Sequence, residues 1–385
     1  MIRIMTYKEH LKGKAILDRY LYLVAYMLPF PPEDVLENDV LDVDGQIITA
    51  KNFFQKSKKK SRKRTNEYKE MMKNYKIEYI SESKEEKLNQ DYLLAAKLIW
   101  SASRGLYAYL YKTDDREEEP INLPLVRREN LRTLLIGKMD ELPVELKEVG
   151  RIGAERGKKL LKEVFRYDSF SCNTHALKLL EDMDVNVCPY CNRLYTMTLT
   201  KSGKSRPQFD HYKSKSQYPY LSVSLMNLIP SCALCNQSKG GKNEEVLYPY
   251  SDEMGMNALF RTKIETGVNY LIGIQGAQDE FSVGLEIADD LPKELRDKIQ
   301  RSDEFFNLTG LYNKHKDYIL YLFWKNHVFS DTYLKELQEK FPNIFHSFED
   351  VKRMMYLMDI DQAQWGSRPL GKLTHDIDME INEIN

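Results

Sequence analysis

The chain has 385 residues, 42% of them hydrophobic, which leaves room for two or three domains with a real core. Its 57 Lys and Arg against 58 Asp and Glu give a net charge of -1, so affinity for a polyanion must come from charge placement, since the total supplies none. Five cysteines, four in Cys-x-x-Cys pairs, do not make a secreted disulfide framework on a chain this long; paired metal ligands fit better. Tyr20 to Leu28, the most apolar N-terminal run, is too short to span a bilayer, follows Asp18 and Arg19 and meets Pro29. The expectation is a cytoplasmic protein with no transmembrane helix and no signal peptide.

From Tyr7 to Leu28, Ile16, Leu17, Leu21, Val24 and Leu28 recur at helical spacing until Pro29, Pro31 and Pro32 stop the pattern. Residues 33 to 50 read as a connection or a short hairpin around Asp44-Gly45. Lys56 to Arg64 is the densest charge run. It is either a phosphate-contacting arm or a solvated loop or helix start. Tyr92 to Tyr111 returns to helical periodicity through Leu93, Ala96, Ile99 and Leu106, with Trp100 as core. A helix beginning near Val144 or Arg151 runs to Phe165 and presents a second basic surface.

Beyond the central stretch, 246–250 and 270–287 alternate or are β-branched, which suggests a few strands or an irregular region. From Pro292 the pattern is helical: Tyr318 to Val328, Tyr333 to Phe341 and Phe348 to Met358 are expected helices. Residues 366–376 read as a loop leading into a short C-terminal helix. The expected fold is α+β and mostly helical: an N-terminal helical domain over 1–166, a small central domain over 167–250 and a C-terminal helical domain over 251–385.

The central stretch, Cys188 to Asn243, carries the chemistry. Cys188 and Cys191 face Cys232 and Cys235 across about forty residues, and two such knuckles present four thiolates tetrahedrally, as Zn²⁺ prefers in closed structural sites. Four thiolates leave no open position, so the zinc should be a staple. Cys172 is left as an ordinary packed cysteine. Between the knuckles, Leu194 to Thr200 and Arg206 to Phe209 are expected to form a hairpin around Ser202-Gly203, with Asp210 and His211 at its end. Adjacent residues there project in different directions, so the carboxylate can bind a cation while the imidazole works as a general base. The Asn227 amide could orient the imidazole. Asn236, where a helix should start, could complete a hard-cation site with Asp210, and oxygen donors suit Mg²⁺ or Mn²⁺. Eight basic residues, among them Arg206, Lys213, Lys215, Lys239 and Lys242, accompany the single acid Asp210 in this stretch, as expected where phosphates approach.

These residues resemble the HNH endonuclease family. The pattern Cys-x-x-Cys, Asp-His, Asn-Leu-x-x-x-Cys-x-x-Cys-Asn-x-x-Lys-Gly is carried here by Cys188, Cys191, Asp210, His211, Asn227, Cys232, Cys235, Asn236, Lys239 and Gly240, over about sixty residues. The resemblance implies a ββα-metal module and hydrolysis of DNA phosphodiesters. His211 would activate water, Asn227 would orient it, Asp210 and Asn236 would hold one Mg²⁺ or Mn²⁺, and Lys239 would sit near a phosphate. Where the family often has His as its last metal ligand, this chain has Asn236. The motifs look most like bacterial HNH proteins of anti-phage defence, such as the Septu-type subunit that pairs with an ATPase; the helical flanks here exceed that subunit's. The alternative from the same residues is a non-catalytic zinc-knuckle module that binds nucleic acid or a partner.

Overall fold

In a computed structural model of the protein, the described residues are 1–4, 20, 40–43, 46–49, 54–56, 62–64, 134–142, 162, 165, 167–171, 174–199, 206–264, 281–357 and 361–384. The fold is α+β. Two compact units interleave along the chain: Met1–Ile4 with Asp184–Asp210 and Ile229–Asn385, and Met5–Met183 with His211–Leu228. The knuckle cysteines therefore belong to the same unit as the C-terminal residues. Among the described residues no helix is long and apolar enough to cross a membrane.

The second unit contains two antiparallel hairpins. β1 (Val40–Val43) pairs with β2 (Gln46–Thr49), closing at Val43↔Gln46, so two residues connect them, as the Asp-Gly signal indicates. β3 (Phe54–Lys56) pairs with β4 (Arg62–Arg64). The ends of the basic run are thus strands and do not begin a helix; its middle, 57–61, lies outside the described residues. So do most of the expected helices over 7–28, 92–111 and 144–165, and Cys172. Helices α1 (Tyr167–Ser171) and α2 (Thr174–Met183) follow.

In the first unit β5 (Gln208–His211) pairs with β6 (Leu228–Ser231), and α3 (Ala233–Lys239) comes next. The unit boundary crosses β5 between 210 and 211. β7 (Ala258–Ile264) and β8 (Phe281–Ile287) pair along their whole length. The helices are α4 (Lys293–Phe306), α5 (Leu308–Tyr312), α6 (Lys316–Val328), α7 (Asp331–Lys340), α8 (Phe348–Tyr356) and α9 (Gly371–Ile384). Their starts are legible where caps exist: Ser330 caps α7, and Ser347 with Asp350 forms a capping box on α8.

Residues 246–250 are a buried irregular segment, one of the two forms expected there; a strand lies at 281–287 within the second expected region and another, unexpected, at 258–264. One expectation changes here. The C-terminal helix begins at Gly371, so 371–376, expected as loop, is helical. The reason is tertiary. Lys372, Asp376 and Glu380, spaced one turn apart, look like a solvated stripe, yet all three are buried. Asp376 Oδ2 accepts from Phe260 N (2.9 Å) and Glu380 Oε2 from Thr262 N (3.0 Å) on β7. Four residues of helix rise about 6 Å and two residues of strand about 6.7 Å, so carboxylates at i and i+4 match strand N–H groups at j and j+2. The helix satisfies a sheet edge that would otherwise be left open.

Lys372 Nζ donates to Asp376 (3.0 Å) and to the Gly255 carbonyl (2.8 Å). Burial lowers its pKa, and Asp376 opposes that shift. Replacing Asp376 with Leu strands a buried ammonium and a strand N–H, so we expect a loss of about 3–5 kcal/mol in urea unfolding. Lys372→Met with Asp376→Leu should recover part of it.

Candidate functional site

The four knuckle cysteines come together. Their sulfurs all lie within 4.8 Å of one another and all four residues are buried. A tetrahedron of sulfurs about a zinc ion has edges of about 3.8 Å, and Cys191 Sγ to Cys232 Sγ is 3.9 Å. A disulfide needs about 2.05 Å, so the cysteines are free thiols set at metal-ligand spacing. Burial pushes the Cys188 thiol well up; four sulfurs this close cannot all ionise unless a cation compensates them. The donor set fits a metal ion such as zinc.

Local sequence builds each knuckle. In the first, Asn192 sits at φ +50°, a left-handed conformation that Asn tolerates, and its N–H closes the turn on the Cys188 carbonyl (2.8 Å). Its buried amide donates to the Trp365 carbonyl (3.0 Å) and accepts from Lys372 N (3.0 Å). Tyr312 Oη donates to the Cys191 carbonyl (2.7 Å). The second knuckle runs into α3, where Cys232, Cys235, Asn236 and Lys239 follow i, i+3, i+4, i+7 on one face. The helix ends at Gly240, whose φ of +49° and N–H to the Asn236 carbonyl form a left-handed cap.

Asp210 lies at the centre of a buried polar cluster. Its Oδ2 accepts from Tyr190 Oη (2.6 Å) and from Lys239 Nζ (3.0 Å). Tyr190 is the second of the two residues between Cys188 and Cys191, and its ring stacks on Phe306 with centroids 4.6 Å apart. Lys239 is 1% exposed and Asp210 5%. The Tyr190 and Lys239 contacts both fall on the same oxygen, Oδ2. Asn236 Nδ2 donates to Gln208 Oε1 (2.5 Å), which leaves the Asn236 carbonyl oxygen as an acceptor. Gln208 and Asp210 alternate onto one face of β5, and Asn236 and Lys239 reach that face from α3. Asp210 and Asn236 are oxygen-donor side chains on this face, each with a hydrogen-bonded neighbour.

In the other unit, His211 Nε2 lies 2.9 Å from the Ser222 carbonyl. A carbonyl only accepts, so Nε2 carries the proton and Nδ1 is the basic nitrogen of the neutral ring. Tyr167 packs edge-on against the imidazole at 4.4 Å between centroids.

Several expectations are corrected. Leu194 to Leu199 is not a strand: Tyr195 makes an isolated bridge to Val187, and the partner of β5 is β6, which follows it. The apolar side chains of Leu194, Tyr195, Met197 and Leu199 are exposed, so the alternation there does not report a buried face. Asn236 is one turn inside α3, which starts at Ala233. Asn227 braces the chain that follows His211, since its amide accepts from Lys213 N (2.7 Å) and donates to the carbonyls of Lys213 (3.0 Å) and Leu221 (2.9 Å). Lys239, expected near a phosphate, is buried on Asp210. The other named cations are more open: Arg206, Lys215 and Lys242 are exposed and Lys213 is half-buried. Lys215 lies over the Tyr167 ring at 4.3 Å and 3.6 Å from Asp168.

The sequence reading missed Tyr190 and Asn192, although both sit inside the knuckle stretch. Their signal was positional: Asn after Cys-x-x-Cys marks a left-handed turn, and a tyrosine within it places one hydroxyl beside whatever the knuckle covers. Asn227→Ala removes three hydrogen bonds from buried backbone and should cost about 2–4 kcal/mol in urea unfolding. Asn227→Asp keeps the bond from Lys213 N and loses both donated bonds, so it should not rescue.

Compared with protein-family models, with curated proteins and with solved structures, the chain finds no match.

Proposed function

We propose that this protein is a metal-dependent endonuclease of the HNH kind that hydrolyses DNA phosphodiesters, stapled by zinc at Cys188, Cys191, Cys232 and Cys235. The observation that supports this reading most is the fixed imidazole: with Nε2–H held by the Ser222 carbonyl, Nδ1 is set to take a proton from water. His211 is the general base. Asp210, the preceding residue of the same strand, and Asn236 offer one oxygen each to a Mg²⁺ or Mn²⁺ ion, which would stabilise charge on the phosphorane-like transition state and the leaving oxygen. Asn227 holds the loop after His211. Arg206, Lys213, Lys215 and Lys242 supply positive charge for the nucleic-acid backbone.

The test is incubation of purified protein with plasmid, single-stranded DNA and RNA in Mg²⁺ or Mn²⁺. Cleavage of DNA that stops with EDTA is the expected result. A role in anti-phage defence in the cytoplasm, with an ATPase partner, rests on the motif resemblance and is tested by co-purification with the product of a neighbouring gene.

A second reading has its own support. Asp210 is already neutralised by Lys239 inside the protein, as suits a zinc-knuckle module that binds nucleic acid or a partner without chemistry. DNA binding that His211→Ala leaves unchanged, with no cleavage under any metal, would select it.

A further inference from the structure

We infer that the cation position at Asp210 is electrically neutral in the free protein, so that a divalent ion enters only together with the phosphodiester, and that Lys239 sets this dependence. The inference rests on the nuclease reading above. Its basis is the cluster on Asp210. One carboxylate faces one ammonium at 3.0 Å, both side chains are buried, and Tyr190 fills the remaining approach to the same oxygen at 2.6 Å. The oxygen left for a cation is Oδ1, and the second donor, the Asn236 amide, is uncharged.

Among the described residues the only cluster of three or more acidic, histidine or cysteine side chains at metal-ligand spacing is the four-cysteine group. On the face shared by β5 and α3, Asp210 supplies the carboxylate and Asn236 the neighbouring amide oxygen. A hard dication is usually held by one or two carboxylates plus substrate phosphates. Here the one carboxylate is matched by a fixed positive charge, and a buried charge is weakly screened. A phosphate restores the missing negative charge, and its oxygen replaces a water on the ion. Cation and phosphate then bind with positive coupling, each raising the other's affinity by the same factor.

The two knuckles build this arrangement. Tyr190 stands within the first and Lys239 one turn beyond the last cysteine of the second, so the residues that hold the four sulfurs also carry the groups on Asp210 Oδ2. Lys239 is a positioning residue: its ammonium holds the carboxylate and sets how much charge the site lacks.

Mn²⁺ binding, followed by the loss of the free-ion electron paramagnetic resonance signal, tests the inference without turnover. The protein is used as His211→Ala to keep DNA intact, and Asp210→Asn in that background subtracts ions bound elsewhere. The expected result is weak Mn²⁺ binding by free protein and at least about tenfold tighter Asp210-dependent binding with a short DNA duplex. Lys239→Met should bind Mn²⁺ at least about tenfold tighter without DNA, and Lys239→Arg should behave as the parent. Equally tight Mn²⁺ binding with and without DNA overturns the inference and leaves the nuclease reading standing. No Asp210-dependent binding in either state overturns both. Lys239→Met that folds, keeps its zinc and binds Mn²⁺ no better than the parent also overturns it; should that variant fail to fold, the comparison with and without DNA decides.

Discussion

If the protein is the nuclease proposed above, His211→Ala should lower DNA cleavage by about 10²–10⁴-fold and leave zinc content and the melting temperature, within a few degrees, unchanged. The size follows from the usual contribution of a positioned general base. The selectivity follows from two contacts of the ring, its hydrogen bond to the Ser222 carbonyl and its edge contact with Tyr167. Neither belongs to the four-cysteine group. The measurement pairs a plasmid cleavage time course with zinc content and thermal melting of the same samples. Wild type and variant cutting at equal rates would sink the nuclease reading, whereas loss of zinc or a collapsed melt would show that His211 is structural. His211→Gln is a useful companion, because its amide can still donate to Ser222 but cannot take a proton from water.

The largest structural effect is expected from emptying the four-cysteine group of the zinc it is proposed to hold. We expect one zinc per chain in purified protein, lost in Cys232→Ser, with the unit that holds Asp184–Asp210 and Ile229–Asn385 destabilised by several kcal/mol. The reach of the effect comes from the connections of the first knuckle. The Cys191 carbonyl accepts from Tyr312, and Asn192 is bonded to Trp365 and Lys372, so the C-terminal helices lose their anchor when the turn opens. Colorimetric zinc release during thermal melting checks this: release and unfolding should coincide, and Cys232→Ser should melt earlier. A variant that loses zinc without any fall in stability would show that the sulfurs are not a staple.

The four-cysteine group was legible because its signal is local: Cys-x-x-Cys spacing depends on a few consecutive residues. So do the caps at Ser330 and Ser347 and the two-residue hairpin connection between β1 and β2. Errors arose where the answer depends on a distant partner. Leu194 to Leu199 alternates as a strand would, yet β5 takes β6. The motif resemblance implies a phosphate contact for Lys239; its burial against Asp210 is a tertiary fact. Residues 371–376 read as loop, because nothing near them in the chain shows that Asp376 and Glu380 accept from strand N–H groups 116 and 118 residues away.

By itself, then, the amino-acid sequence determined the ligand types and their order: four thiolates for a soft-donor site, and an Asp, a His and two Asn residues available for hard-cation and proton chemistry. Side-chain identity and short spacing suffice for that. Only the tertiary structure decided how those groups are paired. It put Lys239 and Tyr190 on one oxygen of Asp210, the Ser222 carbonyl on His211 and the Asn227 amide on the loop between them, because hydrogen bonds and buried charges answer to distance in space and not along the chain.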